Sequence, residues 1–429
     1  MGLTPSVSVG RSYALLVLAA AMWVFIMSGT WSQTPFWPDA DGYTSHVAEG
    51  RWVAHPPGYM IFVLVGHGFH ALGLPAYGSV QFASLFFAVA ALPVLFCLFR
   101  RVCEAREALL LTVIFAFSWN VLILSRTGTS HAGDFFTVSA LLLLATSPSF
   151  RAGHFGTCLV YGAAIVVCAG TRLTTAIMLV PFFALVLFRN RQNANLWIAY
   201  TLAGLAVIAL QTSVIMLSGG WIPYSEYSQS MHLGNKPSSL ILSGINSVSL
   251  LNLFRTLGWW SMSVSLLLLI PLAAICRARG WWLKKTAVPH VLSANQMELL
   301  FYGGASAGGC LGMAGLYLCT HPGYLSAALP GTFACVAATL TLVPQSTSNT
   351  VFALSMAASV GFFMLAKPIS DPKTPFQAAA NGLLLQYTGT AIKNSLFKTT
   401  SHWLRDTGNE NLVPEHHKMS TERAKGGKL

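Results

Sequence analysis

The chain is short of charge. Asp, Glu, Lys and Arg make up 9% of its 429 residues, against about 25% in a soluble domain. Apolar residues make up 54%, and mean hydropathy is +0.60. An ordinary soluble globular protein is excluded. Also missing are the ~10-residue alternating segments of an outer-membrane barrel. Acids are scarcest: 13 Asp and Glu against 25 Lys and Arg, a net charge of +12. That excess does not point to nucleic acid, because no recognition module accompanies it. Most basic residues sit in short loops or in the tail, where they anchor helices and meet anionic lipid. Metal-like cysteine pairing is absent. Cys97, Cys103, Cys158, Cys168, Cys276, Cys310, Cys319 and Cys335 lie in or beside apolar runs and read as small core residues. No Ala-x-Ala-like site follows the apolar run 13–29, which therefore reads as a retained first span rather than a removed signal. No internal repeat of the kind many transporters carry is visible.

What is present is a series of apolar runs, many reaching the ~17–25 residues needed to cross a bilayer. They fall near 13–29, 78–99, 108–125, 134–147, 155–170, 173–188, 194–217, 255–276, 297–319, 322–343 and 350–366. The fold expected is an all-α polytopic bundle of about eleven spans, over residues 1–366. Residues 367–429 form a polar, basic tail, with an amphipathic stretch at 376–398 and a disordered end. The segment 57–73 is apolar but opens with two prolines and carries His67 and His70. Cytoplasmic loops are enriched in Lys and Arg. If 57–73 does not cross, the clusters Arg100/Arg101/Arg106, Arg189/Arg191 and Arg277/Arg279/Lys284/Lys285 all fall inside. It is therefore read as an interfacial or re-entrant helix of the first outer loop. Asp39, Asp41, His55, Arg126, Asp134, Arg172, Glu226, Lys236 and His321 then share the outer face.

Three of the 13 acids, Asp39, Asp41 and Glu49, lie within eleven positions after the first span. One of the two aspartates reads as a cap for a helix over 40–50; the other is placed to act as a general base at the membrane interface. His55-Pro56-Pro57-Gly58-Tyr59 reads as a rigid turn into a helix, with His55 placed to orient a carboxylate or contact a phosphate. The hydroxyl-rich stretch Ser125–Asp134 carries Arg126, His131 and Asp134. Arg126 is either a snorkelling anchor or a phosphate contact, and Asp134 either a cap or a second carboxylate. Arg172 and His321 sit between apolar runs, where an ionisable group is costly and a candidate for function. No His/Asp spacing argues for a dedicated metal site.

Asp39, three residues, Tyr43, then Ala48 and Gly50, then His55-Pro56-Pro57-Gly58-Tyr59 resembles the first outer loop of the multi-spanning C-type (GT-C) glycosyltransferases. These use lipid-linked sugars; the similarity is to bacterial integral-membrane glycosyltransferases, protein O-mannosyltransferases and aminoarabinose transferases. Arg100-Arg101, Arg172 before the Pro181-containing span, and Tyr324 through Pro330 fit the same pattern. The resemblance implies a hexosyl- or mannosyltransferase-like enzyme whose base is an Asp soon after the first span, with Asp39 and Asp41 competing for that role. The sugar would pass in one inverting step from a polyprenyl-phosphate donor to a hydroxyl of a lipid, glycan or protein acceptor. His55, Tyr59, Arg126, Asp134, Arg172 and His321 become substrate-binding candidates, with Lys236 as a further cation. Members of the family differ in metal use, so a divalent ion stays open. The site would face outward, from the inner membrane if the source is bacterial. A transporter or lipid flippase, or a non-catalytic subunit of a membrane complex, are the competing readings.

Overall fold

A computed structural model describes residues 14, 17, 18, 20–24, 38–53, 57–235, 239–278, 292–318 and 322–365. It is an all-α membrane bundle, with no strand among the described residues. The helices are α1 (Pro38–Ala48), α2 (Met60–Ala71), α3 (Ala76–Phe99), α4 (Ala105–Ala116), α5 (Trp119–Leu124), α6 (His131–Ala145), α7 (Phe155–Thr171) and α8 (Leu173–Met178). They continue as α9 (Val180–Arg189), α10 (Ala194–Leu217), α11 (Trp221–Asn235), α12 (Ser247–Val264), α13 (Leu269–Ala278), α14 (Ala294–Met313), α15 (Ala328–Thr339) and α16 (Gln345–Leu365). The tail after 366, the 376–398 stretch and Cys319 lie outside the described residues.

Among the described residues, three helices are long and apolar enough to cross a membrane. α3, α10 and α14 extended to Tyr317 are each 24 residues, or about 36 Å at 1.5 Å per residue. Other expected spans are broken. The run 108–125 splits into α4 and α5 at Phe117–Ser118, and 173–188 splits at Leu179 before Pro181. Proline lacks the N–H that would continue a helix. The run 255–276 breaks at Ser265, whose φ of 55° leaves the helical region. The segment 57–73 yields α2, only 12 residues. At about 18 Å it is shorter than the ~30 Å hydrocarbon core.

α3 forms the spine, packing on α1, α2, α4 and α6, while α14 packs most extensively on α15. In lipid, small residues let helices approach until their backbones touch. A Cβ on Gly303 would lie 2.7 Å from the Gly331 carbonyl oxygen, and one on Gly331 would lie 2.6 Å from that of Gly303.

Ionisable groups gather at the two ends of the bundle. At one end, the Arg101 guanidinium donates to the Leu143 carbonyl and to Thr146 Oγ1, both at 2.5 Å, closing the C-terminus of α6. Arg151 pairs with Glu298 at 3.4 Å, and Arg189 lies over the Phe301 ring at 5.4 Å. The other end holds Asp39, Arg126, Asp134 and Arg172. We expect a cysteine at the exposed position Arg106, in a background without other reactive thiols, to resist an impermeant maleimide applied to intact cells. A cysteine at Trp52, 56% exposed, should label. Labelling of position 106 from outside would invert the orientation.

Candidate active site

Pro38 opens α1. Its fixed φ suits a first helical position and its missing N–H costs nothing there. The helix thus starts two residues earlier than the expected 40–50, and both aspartates fall in its first turn, where the helix dipole favours negative charge. Residues two apart on a helix face different ways; residues four apart share a face. Asp39 is half-buried and lies on the face of Tyr43, which is fully buried. Asp41 is exposed, on the face of exposed Ser45. The Tyr43 hydroxyl hydrogen-bonds Ser130 Oγ at 3.0 Å, tying α1 to the loop before α6.

The Pro57-Gly58-Tyr59 turn completes this wall. Gly58 has φ +112°, and a Cβ there would meet Val214 side-chain carbons at 2.6 Å. Tyr59, the N-cap of α2, is itself left-handed at φ 49°, ψ 33°. Such a conformation costs a non-glycine residue of order 1–2 kcal/mol and tends to be kept where surrounding packing over-determines it. Here it seats the Tyr59 ring edge-on to Tyr43, centroids 5.3 Å apart. Burial pushes both phenols well above their usual range; for Tyr59 the charge of Asp39 is the next cause, and for Tyr43 it adds after Tyr59. Both stay neutral hydrogen-bond donors. Tyr227 on α11 is pushed up by burial and then by the charge of Asp39. Its neighbour Glu226 is exposed. His55, Lys236 and His321 lie outside the described residues.

Arg126 points inward rather than to lipid: it is 3% exposed. Burial pushes its guanidinium down to about 10, which leaves it charged at neutral pH. Two side chains of α3 hold its loop, Gln81 Nε2 donating to the Arg126 carbonyl and Ser84 Oγ to that of Thr129, each at 3.0 Å.

Arg172 is also buried, at the break between α7 and α8. Its Nη1 donates to Asp134 Oδ2 at 2.9 Å. Asp134 Oδ1 accepts from Thr175 Oγ1 at 2.6 Å, and Oδ2 accepts from Ser326 Oγ at 2.5 Å. Asp134 therefore commits its carboxylate to two other segments of chain, the start of α8 and Ser326, instead of capping α6. The Arg172 guanidinium lies 4.6 Å from the centroid of Tyr324, and His131 packs edge-on to that ring at 5.4 Å. The sequence singles out Asp134, Arg172 and Tyr324 separately; Ser326 enters there only as part of the Tyr324–Pro330 stretch, and the tertiary fold brings its hydroxyl to Asp134. Tyr324, on the Arg172 guanidinium, also feels the charge of Asp39. Among the described residues, no three His, Cys, Asp or Glu side chains are grouped as a metal ion would need.

No known family model matches the sequence, and neither does any curated protein. Solved structures do match. The crystal structure of ArnT from Cupriavidus metallidurans bound to undecaprenyl phosphate superposes with a TM-score of 0.60 at 15% identity, covering 90% of this chain and 72% of that one. The apo state of the same protein gives 0.56 at 14% identity, with the same coverage. The chain has a GT-C fold. The archaeal oligosaccharyltransferase AglB from Archaeoglobus fulgidus, in complex with an inhibitory peptide and a dolichol-phosphate, matches at a TM-score of 0.37 and 16% identity over 91% of this chain and 56% of that one; that likeness is too distant to build on. At these identities the comparison establishes the GT-C fold and not the chemistry.

Proposed function

We propose that this protein is a glycosyltransferase that moves a sugar from a polyprenyl-phosphate donor to an acceptor hydroxyl at the outer face of the membrane, with Asp39 as the base. The observation that carries the reading is the half-buried Asp39 carboxylate, set among Tyr43, Tyr59, Tyr227 and Tyr324, at the end of the bundle away from the Arg101/Arg151/Arg189 cluster. The GT-C fold, shared with a protein crystallised with undecaprenyl phosphate, supports the donor class.

The step balances without a metal. The acceptor hydroxyl gives its proton to Asp39 while its oxygen bonds to the anomeric carbon. The bond from that carbon to the phosphate oxygen breaks, and the electron pair leaves on polyprenyl phosphate. Attack opposite the leaving group inverts the centre. A phosphate already ionised at neutral pH needs cations, not a proton donor. Arg126, buried at the same end of the bundle and charged at neutral pH, is the proposed phosphate ligand among the described residues, with Lys236 and His321 as further candidates. Ionisable groups grouped at the ends rather than along a midplane path favour an enzyme over a transporter.

The protein in lipid nanodiscs should bind undecaprenyl phosphate and transfer sugar from a polyprenyl-phosphate hexose. Arg126→Lys should weaken that binding by about tenfold, because an ammonium cannot reproduce a planar two-point contact. Binding unchanged in the variant would remove Arg126 from the phosphate site. Neither binding nor transfer by the native protein would remove the donor class altogether.

A further inference from the structure

Asp134 and Arg172 form a buried pair, their side chains 1% and 2% exposed. A charge so placed is costly unless every lone pair and proton is used. Asp134 takes one donor on Oδ1 and two on Oδ2. Those donors come from three places: Arg172 at the α7–α8 break, Thr175 one turn on, and Ser326 just past the 3-10 turn Pro322–Leu325. Ser326 Oγ also lies 2.6 Å from the Gly323 carbonyl oxygen, so the same hydroxyl sits between the carboxylate and the turn. The same turn carries Tyr324, whose face lies on the Arg172 guanidinium and whose ring meets the edge of His131, the first residue of α6. A side chain at Gly133 would overlap Thr171, so α6 and the end of α7 come together only because that position is glycine. A carboxylate held by three donors is poorly placed to take a proton or a substrate. It is well placed to fix what those donors carry.

We propose that Asp134 is a positioning residue: through Arg172 and Ser326 it locks the Pro322–Leu325 turn against α6, and so sets Tyr324 as a wall of the Asp39 site. The inference rests on the glycosyltransferase reading. It departs from a role for Asp134 and Arg172 as two substrate ligands, and the two roles give different cycles.

The test uses the full chain in nanodiscs, a polyprenyl-phosphate hexose as donor, and Asp134→Asn, Arg172→Gln and the double variant. Misplacement of a site wall by ~1 Å can cost about a hundredfold in rate. For positioning, each single variant should lose roughly 30-fold or more in kcat with the donor KM within about threefold, since no ground-state contact is removed. The double variant, with a neutral amide pair in place of the ions, should recover at least about tenfold over either single, because neither partner is left as a lone buried charge. Losses that multiply in the double, together with a donor KM raised about tenfold or more, would mark independent substrate ligands and overturn the proposal.

Should the charge variants not fold, Ser326→Ala carries the test: kcat lower by about fivefold or more at unchanged KM supports the lock, and unchanged kcat refutes it. If the native protein transfers no sugar, the glycosyltransferase reading falls. The same cycle read as thermal midpoints then judges the pair: a double variant at least as stable as either single supports a unit that locks the turn, and additive losses overturn it.

Discussion

Replacing Asp39 with Asn should lower kcat for sugar transfer by about 10²–10⁴-fold, the range a positioned general base contributes. Asn keeps the size and the position in the first turn of α1 and removes only the proton acceptor. The donor KM and the affinity for undecaprenyl phosphate should change little, because the lost interaction belongs to the transition state. Asp41→Asn should cost less than about tenfold by the same measure. The asymmetry follows from helical geometry: Asp39 shares the face of buried Tyr43, whereas Asp41 faces solvent beside exposed Ser45. Equal losses in both variants, or a larger one at Asp41, would mean the wrong carboxylate has been chosen. Near-native activity in both would remove the base from the mechanism.

The second large effect is on stability. Gly331→Ala should destabilise the protein by the upper part of the ~1–3 kcal/mol range for overpacking, or beyond it, read as a lower midpoint of thermal unfolding in detergent. The added methyl would lie 2.6 Å from the Gly303 carbonyl oxygen and 2.9 Å from the Ala307 nitrogen. Both are backbone atoms, so no side chain can swing aside. Gly304 supplies the control. It follows Gly303 directly, but nothing lies within 4 Å of a Cβ built there. Gly304→Ala should be neutral or gain up to ~1 kcal/mol of helix propensity. Matching midpoints for the two variants would show that α14 and α15 are not in backbone contact.

The class of fold is written in composition, since so little charge with recurring apolar runs leaves few alternatives to a helical bundle. That 57–73 yields a short helix after a turn is also legible, because Pro56 and Pro57 stand at its start and the apolar run that follows is brief. The breaks are less so. Pro181 is a visible signal, but the bends at Ser118 and Ser265 lie in runs whose hydropathy does not change. At the site, spacing alone leaves Asp39 and Asp41 undecided; only the start of α1 at Pro38 separates their faces. Asp134 was the hardest to read. A capping position and a carboxylate near a hydroxyl-rich loop are both present locally, but its partners stand 38, 41 and 192 residues away. Pairing over such separations is a property of packing, and no local pattern encodes it.

α6 links the two ends of the bundle. It begins at the Asp134 network and finishes where Arg101 closes its last carbonyls. Its 15 residues measure only about 22 Å. No residue of α6 is exposed, so it meets its neighbours rather than lipid, and its short length brings the two polar ends closer together inside the bundle than the 24-residue helices α3, α10 and α14 could.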